Sequence, residues 1–144
     1  MTRRAGRRTE RIVIGPLRAA DVEPCARIVA GDPLWQRYRI TLPRARRLIR
    51  KALAARRRNR GAGRETGTIA VARWRRRVAG FIWFRISGTF DHSGYIRWIA
   101  VAPHARGRGI GARLMRHAER RLFAAGPNVF LLVSDFNSGA QAFY

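Results

Sequence analysis

The apolar positions of this 144-residue chain alternate between strand-like and helix-like spacing. Short runs of β-branched and aromatic residues are typical of strands, and such runs occupy 12–14, 68–74, 78–86, 95–102 and 129–133. Apolar residues recur at helical intervals in three further segments, which begin near Asp21, Pro43 and Ile110. Strands and helices mixed in this way within one domain-sized chain predict a single α+β domain.

The connections between these segments predict how the strands pair. Arg75–Arg77 is short enough only for a tight turn, so 68–74 and 78–86 should form an antiparallel hairpin. A complete helix separates 95–102 from 129–133, so these two strands should be parallel. Because 129–133 is apolar throughout, we expect it to be buried. The prediction is a mixed antiparallel and parallel sheet of the α/β type, flanked by helices.

The helix that begins at Ile110 has the clearest apolar face. Its stripe contains Ile110, Leu114, Ala118 and Leu122, with Met115 and Phe123 beside them. In the first helix Asp21 is the expected N-cap. Cys25 lies on the apolar face of that helix and is expected to be a core residue, because no base is paired with it in the sequence.

A segment rich in glycine and arginine joins strand 95–102 to the helix at Ile110. The first turn of a helix has unpaired N–H groups and the positive end of the helix dipole, so it can bind phosphate. Gly107, Gly109 and Gly111 leave room for a phosphate beside the backbone, and Arg106 and Arg108 add charged donors. The spacing fits neither the dinucleotide fingerprint nor the P-loop. An ordinary strand-to-helix turn is the alternative interpretation.

Composition adds an extreme positive charge of +23. Such a charge favours polyanions, but all of the 31 basic residues except Lys51 are arginine, which is equally typical of codon bias in a GC-rich genome. No helix-turn-helix, zinc or RNA-stacking signature is visible, so we expect no specific nucleic-acid partner.

The single cysteine excludes an internal disulfide and a cysteine-rich metal site, and no metal is expected. With one cysteine, the reducing cytoplasm is the default location. The apolar runs are too short to span a bilayer, so we expect no membrane partner.

Two motifs together resemble the GNAT superfamily of N-acetyltransferases. The first is V-x-P-x-x-R-G-x-G-x-G between a strand and an amphipathic helix, in which Arg106 to Gly111 match the signature Q/R-x-x-G-x-G/A. The second is N-x-x-A-x-x-F-Y over 137–144. The strand, Leu-Arg-Ala-Ala-Asp and helix near the start also resemble the usual opening of these proteins. The resemblance covers about 12–144, and its specific motifs begin at Ile99.

This resemblance implies an enzyme that transfers the acetyl group of acetyl-CoA to a primary amine by direct attack. The pantetheine arm is then expected along the backbone of Ile99, Ala100 and Val101. Asn137 is expected near that arm, and Tyr144 near the thioester sulfur as a general acid. The pyrophosphate is expected on the backbone amides of the glycine-rich segment, with Arg106 beside them: Gly107, Arg108, Gly109, Ile110, Gly111 and Ala112.

The acceptor and the general base stay open. Family members that act on ribosomal proteins have a glutamate on the strand before the asparagine, and Leu132 takes that position here. Asp91, His92 and Asp135, acting through water, are candidate bases. Trp35 and Tyr38 are expected either to shape an acceptor pocket or to pack in the core.

Several alternatives accompany the acetyltransferase hypothesis, in which the acceptor is a small-molecule or peptide amine. One alternative is an acceptor associated with the ribosome or with transfer RNA, bound through the arginine surface. Another is a non-catalytic module that binds CoA or nucleic acid. We expect 1–10 to form a basic tail and 11–144 the acetyltransferase domain. Because Tyr144 falls midway through the second motif, we also expect this domain to be incomplete at its C-terminus, with an open sheet edge at which a homodimer could form.

Overall fold

A computed structural model describes residues 11–58, 67–89, 93–132 and 138–144. The strands are β1 (Val13–Pro16), β2 (Thr68–Trp74), β3 (Arg77–Thr89), β4 (Ser93–Val101) and β5 (Val129–Leu131). The helices are α1 (Val22–Ala30), α2 (Pro33–Arg37), α3 (Leu42–Arg58), α4 (Ile110–Ala125) and α5 (Ser138–Phe143). Short 3-10 turns occupy Ala19–Asp21 and Pro103–Ala105.

Within the described residues the strands form one mixed sheet in the order β1-β2-β3-β4-β5. The pairs from β1 to β4 are antiparallel, and β5 runs parallel to β4. The predicted α+β fold, the β2–β3 hairpin and the parallel pair are therefore confirmed. The hairpin turn is made by Arg75 and Arg76, whose φ angles of 52° and 61° are both left-handed.

The sheet separates two apolar cores. One lies under α1 and α3 and includes Phe81, Trp83 and Trp98. The other lies under α4 and includes Ile82 and Phe84. The predicted stripe of α4 is buried at Ile110, Leu114, Met115, Ala118 and Leu122, whereas Phe123 is 53% exposed, so its assignment to the stripe is wrong.

Two local features near α1 and α2 add to the predictions. Asp21 is the N-cap residue of α1, as predicted, but its side chain makes no capping hydrogen bond to that helix. Its carboxylate instead accepts a hydrogen bond from the Arg18 N–H at 2.8 Å and pairs with the guanidinium of Arg73. The short helix α2 was not predicted; it forms because the Asp32 carboxylate accepts from the Leu34 N–H at 2.9 Å and a proline occupies the first turn.

The apolar segment 129–133 is not the buried strand that its composition predicts. Phe130 is 40% exposed and Leu132 is 84% exposed. In the described part of the sheet β5 is the outermost strand and pairs on one side only, with β4. The rest of the segment, Val133, lies outside the described residues.

Candidate functional site

A β-bulge in β4 marks the centre of the candidate site. Trp83 of β3 lies opposite Trp98 of β4, but the next residue, Phe84, lies opposite Ile96, so Arg97 is an extra residue on β4. A bulge bends its strand and changes the direction of the side chains on either side. Accordingly, Ile96 belongs to the core under α4, whereas Trp98 belongs to the core under α1 and α3.

Beyond the bulge β4 and β5 separate. Their pairing covers Gly94 to Ile96 on β4 and ends at Ile96 opposite Leu131. From Arg97 to Val101 the β5-facing edge of β4 has no strand partner among the described residues. A cleft of about 960 Å³ opens there. Backbone groups on such an edge need hydrogen-bonding partners. Ile99, Ala100 and Val101, which the family resemblance places beside an extended ligand, lie on this edge.

The cleft leads to the N-terminus of α4 through the glycine-rich loop. Gly107 and Gly109 have left-handed φ angles of 76° and 73°, which glycine adopts without strain. No atom lies within 4 Å of a Cβ built on either glycine. A Cβ on Gly111 would meet the Phe143 ring at 3.6 Å. The helix has no side-chain cap, and its first backbone bond is donated by the Arg113 N–H to the Gly109 carbonyl at 3.1 Å.

Ile110 and Ala112, two other positions predicted to bind phosphate, lie in the first turn of α4. Ile110 points its side chain into the core, so only its backbone can serve a ligand. Ala112 is half-buried in the first turn of α4. The backbone N–H groups of Ile110, Gly111 and Ala112 precede the first intrahelical bond, so they are free to bind an anion.

Arginine side chains surround this loop. Arg106 donates from Nη2 to Oδ2 of Asp32 at 2.9 Å. The guanidinium of Arg108 lies 4.0 Å from the centre of the Trp74 ring, and Arg75 lies 4.3 Å from the same ring. The structure therefore brings both predicted arginines to the loop, where each already has a protein partner.

The wall of the cleft under α2 and α3 is aromatic. The ring centres of Trp35 and Trp98 are 5.4 Å apart, and those of Trp83 and Trp98 are 5.2 Å apart. Tyr38 continues this row, 5.8 Å from Trp35. Trp35 and Tyr38 pack at the margin of the core and also line the cleft, and their role in an acceptor pocket stays a prediction.

Tyr144 lines the opposite side of the cleft, next to Phe143 at a ring distance of 5.3 Å. Burial raises the pKa of its hydroxyl above the ordinary tyrosine value of 10.0. The hydroxyl is protonated at neutral pH, as that of an ordinary tyrosine is, and the raised pKa makes it a weaker acid. The exposed side chain of Leu132 also lines this cleft, which leaves that position without a carboxylate.

The remaining candidate groups are four residues outside the described ranges and one buried cysteine. Asn137, Asp91, His92 and Asp135 fall outside the described residues. Cys25 is fully buried, as expected of a core residue. Burial, and then the charge of Asp21, raise the pKa of its thiol far above the usual value, so it is not a nucleophile at neutral pH. Among the described residues, no three histidine, cysteine, aspartate or glutamate side chains are grouped to hold a metal, and no helix is long and apolar enough to cross a bilayer.

Three polar side chains in the cleft were missed by sequence reasoning: Arg44, Tyr95 and Arg97. The available signal was Arg97, a charged residue in the middle of the otherwise apolar run 95–102. The bulge that turns its side chain into the cleft depends on the pairing with β3 and is not visible in the local pattern.

Comparison with known proteins agrees with this geometry. Residues 34–144 match the model of the acetyltransferase (GNAT) family. A transcriptional regulator from Bacillus halodurans has a similar structure, with a TM-score of 0.69, 19% identity and coverage of 93% of this chain and 89% of that chain. A ribosomal-protein-alanine N-acetyltransferase from Brucella melitensis biovar Abortus gives a TM-score of 0.66 at 17% identity, covering 93% of this chain and 88% of that chain.

A third similar structure is a GNAT family acetyltransferase from Elizabethkingia anophelis with acetyl-CoA bound. It has a TM-score of 0.58 and 16% identity, with coverage of 92% of this chain and 71% of that chain. These identities establish the fold alone, whereas the family match spans most of the chain. The chain belongs to the GNAT acetyltransferase family, whose members transfer an acyl group from acetyl-CoA.

Proposed function

We propose that this chain transfers the acetyl group of acetyl-CoA to a primary amine by direct attack, and that residues 11–144 act as the acetyltransferase domain. The observation that carries the proposal is the cleft between β4 and β5, which begins at the bulge of Arg97 and leads to the open glycine-rich N-terminus of α4. An extended strand edge joined to an anion-binding helix end suits a ligand with a long amide-containing arm and a pyrophosphate.

In this proposal the pantetheine arm pairs with the backbone of Ile99, Ala100 and Val101. The pyrophosphate is bound by backbone N–H groups from Gly107 to Ala112, with Arg106 and Arg108 as charged donors. Asn137 is the proposed partner of the pantetheine arm. The support is the unpaired edge of β4 and the absence of any atom close to the exposed faces of Gly107 and Gly109 among the described residues.

The chemistry then needs three contributions from the protein. A backbone N–H of β4 polarises the thioester carbonyl. The amine nitrogen forms the new C–N bond as the C–S bond breaks, and the amine proton passes to water. The leaving thiolate takes a proton from Tyr144, which is protonated at neutral pH, and the resulting tyrosinate regains a proton from water.

The binding part is tested with Gly111→Glu and Gly111→Gln. Both side chains start from a Cβ that has ordinary contacts with Phe143 and Val101, and they differ only in charge. Calorimetry with acetyl-CoA should show weaker binding for the glutamate variant by about tenfold or more, because its carboxylate repels the pyrophosphate. Equal affinities for the two variants would contradict the proposed phosphate position.

Catalysis is tested by thiol release from acetyl-CoA in the presence of amines, amino acids, peptides and polyamines. An amine-dependent release identifies an acetyltransferase. Acetyl-CoA binding without release for any acceptor would instead support a non-catalytic CoA-binding module.

A further inference from the structure

We infer that the amine acceptor carries an oxyanion group, such as a carboxylate, and that Arg97 and Arg44 bind this group on the aromatic wall of the cleft. The inference rests on the proposed acetyl transfer for its reaction, and it names the substrate class of the same cleft. Neither a polyamine nor a basic peptide fits such a wall.

Arg97 is the first observation. It is the bulged residue of β4, and its guanidinium lies in the cleft, 4.3 Å from the centre of the Trp83 ring and 5.5 Å from that of Trp98. No hydrogen bond or ion pair joins it to another described residue. A guanidinium has five N–H donors in a fork that matches an oxyanion, and none of them is bound by another described residue.

The electrostatic environment of Arg97 favours an anion. Desolvation lowers the pKa of Arg97; Tyr95 opposes this effect, and the positive charges of Arg85 and Arg44 add to it. A partly desolvated guanidinium with like charges as neighbours is stabilised by an anion. An anionic ligand would remove this unfavourable interaction when it binds.

Arg44 supplies the second cation. It projects from α3 into the same cleft, where its Nη1 donates to the Arg39 carbonyl at 3.4 Å. Among the described residues that line the cleft, Asp32 is the one with an acidic side chain. Its two carboxylate oxygens already accept from the Leu34 N–H and from the Arg106 guanidinium. The described acceptor wall therefore has two cations without a carboxylate of its own.

The aromatic rings define the other part of the acceptor. Trp35 and Trp98 present ring surfaces to the cleft beside Arg97. Flat apolar surfaces of this kind bind apolar or aromatic groups. An amino acid with a bulky apolar side chain combines such a group with a carboxylate and a primary amine, so it fits all three features of the wall.

The test compares amino acids with their own carboxamides. Phenylalanine, tryptophan, methionine and leucine are each assayed with the matching amide, and the phosphonate analogue of phenylalanine is included to separate carboxylate from phosphate-like recognition. For the intact protein, kcat/KM should be about tenfold or more higher for the acids than for the amides, as expected for a charge-assisted hydrogen bond. A preference for the amides or for spermidine would overturn the inference and leave the acetyl transfer itself established.

Two variants locate the effect. Arg97→Gln should reduce the acid-to-amide preference to about twofold or less, raise KM for the acids and leave KM for acetyl-CoA unchanged. Arg47→Gln is the matched control, since Arg47 is exposed on α3 and does not line the cleft. Equal acid-to-amide ratios for the two variants would overturn the role of Arg97.

A binding measurement keeps the inference independent of catalysis. Quenching of tryptophan fluorescence is titrated with phenylalanine and with phenylalaninamide, because Trp35 and Trp98 line the proposed site. If no acceptor releases thiol, acid-selective binding that is lost in Arg97→Gln still supports the oxyanion site, and the proposed function fails alone. Binding that does not distinguish the acid from the amide would reject the site.

Discussion

Arg106 and Asp32 form an ion pair across the cleft region, with Arg106 Nη2 donating to Asp32 Oδ2 at 2.9 Å. The other oxygen of Asp32 accepts from the Leu34 N–H at the start of α2. The pair thus links the loop before α4 to the helix that carries the aromatic wall. Arg106 has a side chain that is 56% exposed, and an ion pair so open to solvent contributes little stability. If Arg106 binds the pyrophosphate as proposed, Asp32 competes with that phosphate for Arg106.

The first prediction concerns this competition. Asp32→Asn keeps an oxygen that caps α2 and removes the negative charge next to Arg106. We expect acetyl-CoA to bind more tightly by up to about fivefold, the value of an exposed ion pair, with a larger effect at low salt. Calorimetry in the Arg106→Gln background is the control, since the gain should largely disappear there. Unchanged or weaker binding in Asp32→Asn would contradict the competition.

The second prediction concerns the β2–β3 turn, where Arg76 has a φ of 61°. A left-handed conformation costs a residue with a Cβ about 1–2 kcal/mol, and glycine avoids this cost. Arg76→Gly should therefore stabilise the protein by about 1 kcal/mol in urea denaturation. Arg77→Gly is the matched control and should destabilise it, because Arg77 begins strand β3. A destabilised Arg76→Gly variant would show that Arg76 makes a favourable contact greater than its backbone strain.

The features that could be predicted from the sequence are those formed by residues close together along the chain. The stripe from Ile110 to Leu122 and the glycine-rich loop have their pattern within a single helix and its entry, and the structure bears out the helix. Asp21 lies at the N-cap position as predicted, but its carboxylate binds the Arg18 N–H and the Arg73 guanidinium and does not cap the helix. The local pattern does not reveal Arg73, which lies far along the chain.

The aromatic wall of the cleft and Arg97 could be predicted only in part, because their positions depend on contacts between distant parts of the chain. Trp35 stood out as an aromatic residue beside the second helix, but its contact with Trp98 depends on how α2 packs against the sheet. Arg97 enters the cleft because of a register shift between β3 and β4. The pairing of Arg106 with Asp32 joins residues 74 positions apart. Contacts of this kind follow from the tertiary fold and not from spacing in the sequence.

The third prediction is a pH dependence of stability. Glu23 accepts two hydrogen bonds from Arg46, from Nε at 2.7 Å and from Nη2 at 2.8 Å. These bonds, with a smaller contribution from Arg27, lower the pKa of Glu23 from 4.5 to about 2. A carboxyl group with a lower pKa in the folded state stabilises the fold above the unfolded pKa. This contribution is lost as the pH falls from about 4.5 to about 2.

Arg46→Gln tests this link between α1 and α3. Its free energy of unfolding should be lower than that of the intact protein at neutral pH, and the difference should shrink as the pH falls through that range. Urea denaturation at a series of pH values measures it. Arg47→Gln, on the exposed side of α3, should show no such convergence. A difference between Arg46→Gln and the intact protein that is constant with pH would show that Arg46 acts through packing alone.

The last prediction concerns Tyr144 as the proposed acid for the leaving thiolate. Tyr144→Phe keeps the ring that packs against Phe143 and removes only the hydroxyl. We expect kcat to fall by about a hundredfold, as for loss of a general acid, with KM for acetyl-CoA unchanged. Because burial raises the pKa of Tyr144 above 10.0, the rate of the intact protein should fall on the alkaline side only above that value. This fall should be absent in the variant.

Tyr95→Phe is the control. It removes a different hydroxyl from the same cleft, and it should reduce kcat much less. A Tyr144→Phe variant with normal kcat and the same alkaline limb would mean that water, and not Tyr144, protonates the thiolate.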